Sequence, residues 1–419
     1  MYFTTTNPVY GFRVIGNADS PANTIEYIGS AEGMTPASMG ETSFDYGSWE
    51  NAFFMPKPCM LNYDGTVAYY LDPDDYSKKL DGTASDIEDT TFNGNAMMEW
   101  PLIWYKFESS ESEGDGYFYV SDTQVDNTYH CWCNIDSQNN IIPHFYTSIY
   151  SCCGINSKMR SVSNRLINNS NGFCGRTWTN DLNVVLNLNT TENVEWYTDV
   201  WCDRQLINAL LVLICKTTDL QSAIGLGHML PYDGNINLAS RTGRLNTNGL
   251  FYGTATSSTV KVFGMENWWG NMQRRIAGHT IMRNAESVST HMFKLTYGTA
   301  DGSTVVGYDH YGNDVVNGFI HHSPAVMTDG FIGTMKFNSY GYDVYNVAQS
   351  LSTSNWPDVV QVPTMSSIPP FTVTLYGRND WTETEKARVG PFAYWSLEAT
   401  EMTAVTSTGL SCKPILNQE

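Results

Sequence analysis

The sequence predicts an α+β protein in which short strands predominate and one helix is buried in the core. Three observations support this prediction. Short apolar and aromatic runs recur between clusters of turn-forming residues, one segment has helical hydrophobic spacing, and only 16% of the residues are charged. With so few charges, the surface must be rich in Asn, Ser, Thr and Gly, a composition typical of β-rich extracellular or virion proteins. At 419 residues the chain exceeds one ordinary domain and can bury a large core.

Local patterns predict the elements in order. The Asp64-Gly65 pair lies between two apolar runs and favours a two-residue hairpin turn. The aromatic segment 97–107 predicts a strand that pairs with 116–120. Residues 203–214 have apolar side chains at helical spacing, with Asp203 as a suitable N-cap, so they predict a buried scaffold helix. Further short strands are predicted at 293–297, 305–308, 334–337 and 371–375.

The best linker candidate is the segment 81–95, which is rich in Gly, Ser, Thr and Asp and lacks hydrophobic periodicity. It predicts a division into two domains. The first, 1–94, is a β-rich domain for attachment or oligomerisation. The second, 95–419, contains the remaining elements.

The charge balance excludes some classes of partner. The net charge is −20 and no basic run compensates it, so neither nucleic acid nor an anionic membrane surface is an expected partner. The first residues lack the basic and apolar regions of a signal peptide, and the longest apolar run, 209–215, is too short to span a bilayer. We therefore expect a protein that stays in the cytoplasm where it is made or leaves by assembly or lysis.

The nine cysteines include two close pairs, Cys131 with Cys133 and Cys152 with Cys153. Neither pair has the two-residue separation that is usual for zinc ligands, so reduced thiols packed as small hydrophobic side chains are the expectation, with a zinc site as the alternative. Three histidines are candidate metal ligands: His310, His321 and His322. No carboxylate stands at ligand spacing near them, so we expect them to be surface or hydrogen-bonded residues.

The most specific motif is 264–275, in which Trp268 and Trp269 are followed directly by Gly270 and Asn271. A Gly-Asn pair tolerates positive φ, so the backbone can turn sharply while the large rings anchor it in a core. The alternative is an aromatic platform for a sugar. Packing in the core is the expectation.

This motif resembles the Gly-Asn-Val-Trp-Glu-Trp signature of the formylglycine-generating-enzyme branch of the C-type lectin fold. Trp269, Gly270 and Asn271 fit the signature. Its Trp, Glu and second Trp are replaced by Gln273, Arg274 and Arg275.

The segments 371–381, 390–397 and 409–414 are similar to the closing strands of the same fold. Together with the tryptophan motif, they resemble the variable proteins of diversity-generating retroelements, which include phage receptor-binding proteins. The resemblance covers roughly 95–414. It implies a C-type lectin-like domain whose ligand surface, about 371–414, is diversified by mutagenesis of adenines.

Enzyme activity is not expected from these motifs. Formylglycine-generating enzymes bind copper through two cysteines near the C-terminus, but only Cys412 lies beyond Cys215. Glu266 is a candidate calcium ligand, although no Glu-Pro-Asn or Gln-Pro-Asp motif accompanies it. No cofactor is therefore expected.

Alternation along the strand 393–398 suggests which residues face a ligand. It places Ala393, Trp395 and Leu397 on a core face and the residues between them on an exposed face. The flanking loops add charged and polar side chains of the kind that binding surfaces favour, with an ordinary solvated loop as the alternative. The predicted ligand residues are Arg378, Asn379, Asp380, Glu383, Lys386, Arg388, Tyr394, Ser396, Glu398, Thr400, Glu401 and Met402. The predicted scaffold residues are Trp268, Trp269, Gly270, Asn271, Trp381 and Trp395.

The resemblance implies a non-enzymatic receptor-binding protein at a phage tail tip or fibre. Its expected partners are a bacterial surface protein or glycan, other tail proteins, and further copies of the chain in a trimer. The alternatives are a structural virion protein, such as a baseplate or decoration protein, and a virion carbohydrate-active enzyme.

Overall fold

The computed structural model describes most of the chain. The described residues are 7–16, 20–110, 115–136, 138, 140–167, 184–229, 239–283, 288–293, 319–324, 329–339, 341–348, 356–361, 371–376, 389–398 and 406–416. Over these residues the fold is predominantly β, with few helices. The predicted α+β class agrees with the structure only in that both strands and helices are present.

Short strands make up most of the regular structure. In the described part of the chain, the helices with complete bounds are α1 Trp201–Cys215 and α2 Leu220–Ala223, a helical turn covers residues 184–186, and short 3-10 turns lie at Pro21–Asn23 and Trp132–Asn134. The strands of the first half are β1 Tyr10–Val14, β2 Ile25–Gly29, β3 Ser38–Met39, β4 Phe44–Asp45, β5 Lys57–Asn62, β6 Val67–Asp72, β7 Asp75–Lys79, β8 Gly94–Trp100, β9 Trp104–Ser109, β10 Gly116–Ser121, β11 Phe145–Ser148, β12 Cys153–Ile155, β13 Lys158–Arg160 and β14 Val194–Thr198. Those of the second half are β15 Lys261–Val262, β16 Met265–Glu266, β17 Gln273–Arg283, β18 Val288–Phe293, β19 Phe319–Pro324, β20 Gly330–Asn338, β21 Gly341–Ala348, β22 Val359–Gln361, β23 Phe371–Tyr376, β24 Tyr394–Glu398, β25 Thr406–Ser407 and β26 Leu410–Pro414.

Three sheets surround the helix α1. The first has the order β2-β1-β10-β9, and the second has the order β14-β26-β11-β8-β5-β6-β7. The third has the order β19-β18-β17-β23-β24-β22-β20-β21, and β25 pairs with β17 at its side. Every residue of α1 is buried. The predicted scaffold helix is thus confirmed.

The start of α1 differs from the prediction. The N-cap is Val200, and Asp203 lies in the first helical turn. The Asp203 carboxylate accepts hydrogen bonds from Ser411 Oγ at 2.7 Å and Lys413 Nζ at 3.3 Å. Asp203 therefore fastens the helix to β26 instead of capping it.

Two predicted hairpins are present, one of them in modified form. Strands β5 and β6 pair around Asp64-Gly65, where Gly65 has φ +84°. Strands β9 and β10 also pair, with Tyr105 opposite Val120. The expected single strand over 97–107 is wrong, because the chain leaves β8 at Pro101 and its second half joins a different sheet as β9. Proline has no N–H for a strand ladder, so it ends the pairing there.

The predicted domain boundary near residue 94 does not separate two cores. Strand β5 pairs with β8, placing Cys59 opposite Met97, and β1 pairs with β10. One hydrophobic cluster extends from Phe12 to Tyr394. The division into 1–94 and 95–419 as independent domains is therefore wrong. The segment 81–95 is held in place by packing of Ile87, which is 3% exposed.

The tryptophan motif is buried. Trp268 is 2% exposed and Trp269 is fully buried, as the packing interpretation predicts. Gly270 has φ +76° and Asn271 has φ +58°, so both residues adopt the left-handed conformation that this pair tolerates. The Asn271 side chain accepts from Ser240 N at 2.6 Å and donates to Ser240 O at 3.2 Å. The motif therefore packs as a scaffold element.

The described cysteines are all buried free thiols. This agrees with the expected packing of cysteines as small hydrophobic residues. In the part of the chain that the structure covers, no helix is long and apolar enough to cross a lipid bilayer.

A comparison of two glycines tests the tight packing of the tryptophan motif. A Cβ at Gly270 would lie 2.8 Å from the backbone N of His228, whereas Gly33, with φ +79°, has nothing within 4 Å. We expect Gly33→Ala to lower the free energy of unfolding by about 1 kcal/mol, the cost of left-handed φ alone. Gly270→Ala adds a clash with the backbone and should cost about 3 kcal/mol. Urea denaturation measures both, and equal losses would contradict the proposed packing.

Candidate ligand-binding site

Most of the predicted ligand residues lie outside the described part of the chain. These are Arg378, Asn379, Asp380, Glu383, Lys386, Arg388, Thr400, Glu401 and Met402, and the predicted scaffold residue Trp381 lies outside it as well. Ser396 and Glu398 lie on β24, opposite Thr374 and Thr372 of β23. The description does not extend to the side chains of residues 395–398, and Trp395 is among them.

Tyr394 does not lie on an exposed face, and its prediction as a surface residue is wrong. It is 3% exposed, and its ring packs edge-on against His279 at 5.6 Å between ring centroids. His279 in turn stacks on Trp201 at 4.4 Å. Strand β24 lies between β22 and β23, and Ala393, on the predicted core face, is also buried. The sheet is therefore covered on both faces where β24 begins.

The described strands fix where the predicted ligand segments join the fold. Strand β23 ends at Tyr376 directly opposite Tyr394, the first residue of β24. At the same end of the sheet, Arg274 of β17 pairs with Tyr376 and also with Ser407 of β25. The last residue of β23, the first residue of β24 and strand β25 therefore lie at one end of the third sheet. We take this end of the third sheet as the candidate site.

Asp358 holds the short loop that leads into β24. Its carboxylate oxygens accept hydrogen bonds from the backbone N–H groups of Gly390 and Phe392, each at 2.8 Å. A Cβ at Gly390 would lie 2.7 Å from Asp358 Oδ1, so only glycine allows this approach. Burial raises the pKa of Asp358 to about 7, although the two N–H donors favour the ionised form.

The helices provide three further anchors for this loop. Gln221 on α2 accepts from Val389 N at 3.0 Å through its side-chain oxygen. On α1, Arg204 and Asn208 both donate to the carbonyl oxygen of Pro391, each at 3.2 Å. These two residues stand four positions apart and so share one face of the helix. Four consecutive residues before β24, from Val389 to Phe392, are thus bound through their backbones.

The same face of α1 also binds the tryptophan motif. Arg204 donates to Trp268 O at 3.1 Å, and its guanidinium lies 4.5 Å from the centroid of the Trp268 ring. Asn208 accepts from Trp268 Nε1 at 2.7 Å. The motif, the helix and the Pro391 loop therefore form one hydrogen-bonded unit, and its polar groups are buried.

Arg274 stabilises the neighbouring part of the site. It forms a buried ion pair of 3.2 Å with Asp199. The Asp199 carboxylate also accepts from Gly409 N at 3.1 Å. Burial raises the pKa of Asp199, and the positive charge of Arg274 opposes this rise. A bond from Arg274 Nη2 to Glu266 O at 3.3 Å joins the motif to the same cluster.

A cavity lies behind the start of β24, but it is too small for a ligand. Its volume is about 10 Å³, the space of one water molecule. It is lined by aromatic rings, including those of Trp201, Tyr342 and Tyr394, and by the carboxylate of Asp343.

The calcium candidate Glu266 has a structural role. It is 1% exposed, and its two carboxylate oxygens accept from the backbone N–H groups of Gly243 at 2.8 Å and Leu245 at 2.7 Å. The nearby cation Lys261 donates to Leu245 O at 2.8 Å. Burial lowers the pKa of Lys261 to about 7. These contacts close a loop around the carboxylate and occupy both of its oxygens.

One described cluster has atoms that could ligate a metal: Cys133, Cys202 and Asp203, whose ligand atoms lie within 4.8 Å of one another. Lys413 stands 3.3 Å from the Asp203 carboxylate. Burial raises the pKa of Cys133 well above its ordinary value, which favours the thiol over the thiolate that binds metals. The donor set fits a hydrogen-bonded core cluster better than a metal centre.

Sequence reasoning missed the anchors Arg204, Asn208, Gln221 and Asp358. A signal for two of them was present, because Arg204 and Asn208 interrupt an apolar helix at a spacing of one turn. Polar side chains on the buried face of a helix require buried partners. Asp358 and Gln221 have no comparable local signal, since their partners lie 32 and 168 residues away in the chain.

The Asp358 contact generates a pH-dependent prediction. Because the pKa of this carboxyl is raised on folding, the folded state binds more protons than the unfolded state between about pH 4 and pH 7. Its contribution to stability is therefore greatest near pH 4 and decreases as the pH rises to 7. Asp358→Asn cannot titrate and loses one N–H acceptor, so it should cost about 1–3 kcal/mol at pH 4.5 and less at pH 8. The exposed Asp122→Asn is the control, and a cost that increases with pH would contradict the assignment.

Comparisons with known proteins identify no family for this fold and site. A scan against family models finds no match, and neither does a search of curated proteins.

Proposed function

We propose that this chain is a non-enzymatic receptor-binding protein of a phage tail tip or fibre. It recognises a protein or glycan on the bacterial surface through the segment 371–414 of a C-type lectin-like domain. The single observation that carries the proposal is the anchored loop 389–392. Its backbone is fixed by four side chains, and in the chain it directly follows the predicted ligand segment 377–388.

A fixed base suits a surface whose residues vary. Affinity improves when the groups that carry the contacts are held in place before binding, because less conformational entropy is lost. In this loop the anchors are polar side chains that bind backbone atoms, so they do not depend on the identity of the side chains in the loop. Substitutions in 377–388 therefore leave these bonds intact, which is what a diversified surface requires.

The burial of the tryptophan motif supports a scaffold role for its residues, which is the role that the resemblance to the C-type lectin fold implies. Trp268 and Trp269 have no exposed face for a sugar, and their ring nitrogens donate to Asn208 and Gly225. Recognition is therefore assigned to the C-terminal segment. The net charge of −20 favours neutral or cationic surface groups over nucleic acid as the recognised ligand.

Weak sites gain strength when several copies bind together. We therefore include a homotrimer and contacts with other tail proteins in the proposal. The localisation that follows is the virion, after synthesis in the host cytoplasm.

Substitution of the ligand residues tests the proposal directly. We expect the fluorescently labelled full chain to bind some members of a panel of intact bacterial cells. The fourfold variant Arg378→Glu, Asn379→Ala, Ser396→Ala and Glu398→Ala should weaken that binding at least about tenfold. Its melting temperature should stay within about 2 °C of the unmodified chain. Tyr394 is left unchanged because it is buried.

The control variant is Glu41→Gln, an exposed residue of the N-terminal region, which should bind cells as the unmodified chain does. Failure to bind any cell would favour the structural virion protein. Release of reducing ends from surface polysaccharide would favour the carbohydrate-active enzyme. Unfolding of the fourfold variant would show that these residues are not a ligand face.

The coding DNA offers a second test. A diversified chain should have a near-copy of the segment that encodes 371–414 close to a reverse transcriptase gene, with differences confined to adenines. Differences at other bases would contradict diversification of this chain.

A further inference from the structure

A second cavity opens to solvent on the N-terminal side of the molecule. Its volume is about 230 Å³, and Tyr10 and residues between 34 and 52 line it. Ligand cavities for drug-sized molecules measure about 300–1,000 Å³, so this one suits a single small ring. It belongs to segments that the predicted ligand surface at 371–414 does not include.

An aromatic side chain forms one wall of this cavity. The Tyr10 ring is half-buried and is braced by two other rings, Trp49 at 5.6 Å and Phe53 at 6.4 Å between centroids. Trp49 is itself fixed in the core, where its ring nitrogen donates to Tyr27 Oη at 3.3 Å. The wall is therefore rigid, and it offers an apolar surface with a polar tip.

The rim of the cavity is polar and exposed. Glu50 contributes a carboxylate that accepts hydrogen bonds, and Asn51 contributes an amide that both donates and accepts. Ser48 Oγ accepts from Thr35 N at 2.9 Å, which leaves its own O–H to donate. Donors and acceptors are thus present together among the residues that line the cavity.

The backbone of the rim is held in place before any ligand binds. Ser48 N donates to Thr35 O at 3.1 Å, which completes a reciprocal pair with the bond from Thr35 N. Gly47 has φ +54°, and a Cβ there would collide with Thr35 O. A glycine is required where the two segments cross, and the crossing fixes the rim against the wall.

From these contacts we infer that the cavity binds a neutral saccharide ring. The apolar face of a pyranose stacks on an aromatic side chain, and its neighbouring hydroxyls require donors and acceptors together. A cation is the rival ligand because Glu50 is negative, but cages for ammonium groups surround the charge with several ring faces. Two rings line this cavity, those of Tyr10 and Trp49, and Trp49 is 1% exposed, so the rings do not enclose a cation on several sides. None of the residues that line the cavity belongs to 371–414, so this inference does not rest on the proposed function.

The test uses the full chain and simple sugars. Saturation-transfer NMR with methyl pyranosides of glucose, galactose, mannose and N-acetylglucosamine, each at about 10 mM, detects the weak affinity expected of a single ring. We expect at least one of them to receive saturation. Glu50→Ala and Asn51→Ala, which alter exposed side chains, should each weaken its binding about tenfold. Glu41→Ala, an exposed carboxylate that is not part of the cavity lining, is the matched control and should not change it.

Three results would overturn the inference. The first is the absence of saturation transfer to every pyranoside. The second is binding that Glu50→Ala and Asn51→Ala leave unchanged. The third is tighter binding of tetramethylammonium than of any sugar, which would assign the cavity to a cation. Because the predicted receptor residues are intact in all these variants, cell binding through 371–414 can fail or succeed independently of this result.

Discussion

The buried guanidinium of Arg204 is the interaction on which much of this structure depends. It is fully buried, it lies against the Trp268 ring, and it donates to the carbonyl oxygens of Trp268 and Pro391. A charge taken out of water is costly unless polar partners surround it, so the backbone at both positions must stay where Arg204 can reach it. The helix thereby fixes two segments that lie 64 and 187 residues further along the chain. Removing a partner from such a contact typically costs about 3–5 kcal/mol, because a buried charge is left unpaired.

This constraint separates the part of the molecule that must be invariant from the part that is free to change. The tryptophan motif, α1 and the loop before β24 contact one another through buried polar groups, and a change in any of them affects the others. The segments that follow Tyr376 and Glu398 are connected to this unit by the ends of two strands. In the proposed function, recognition therefore belongs to residues whose substitution does not require repacking of the core. Arg274, in the same motif, has its own buried partner in Asp199.

Features that depend on neighbouring residues were predictable from the sequence, and features that depend on distant ones were not. The Asp64-Gly65 hairpin, the helix around 203–214 and the buried Gly270-Asn271 turn follow from local spacing and backbone preferences, and all three are present. The boundary near residue 94 was wrong because strand pairing between β5 and β8 is decided by tertiary contacts that composition does not reveal. Tyr394 was misplaced because alternation shows which residues share a face but not whether that face is covered. The anchors of the 389–392 loop were missed because each binds a backbone atom that lies far away in the chain.

The position of β26 has a consequence for how the protein is made. This strand is near the C-terminal end of the sequence, yet it lies between β14 and β11 and pairs with both. Until the ribosome has released Leu410–Pro414, the second sheet lacks an interior strand, and among the described strands β14 lacks its pairing partner. Pairing between such distant segments is slow to form because a long loop must close first. A chain truncated by a stop codon or a frameshift upstream of β26 therefore cannot complete its fold.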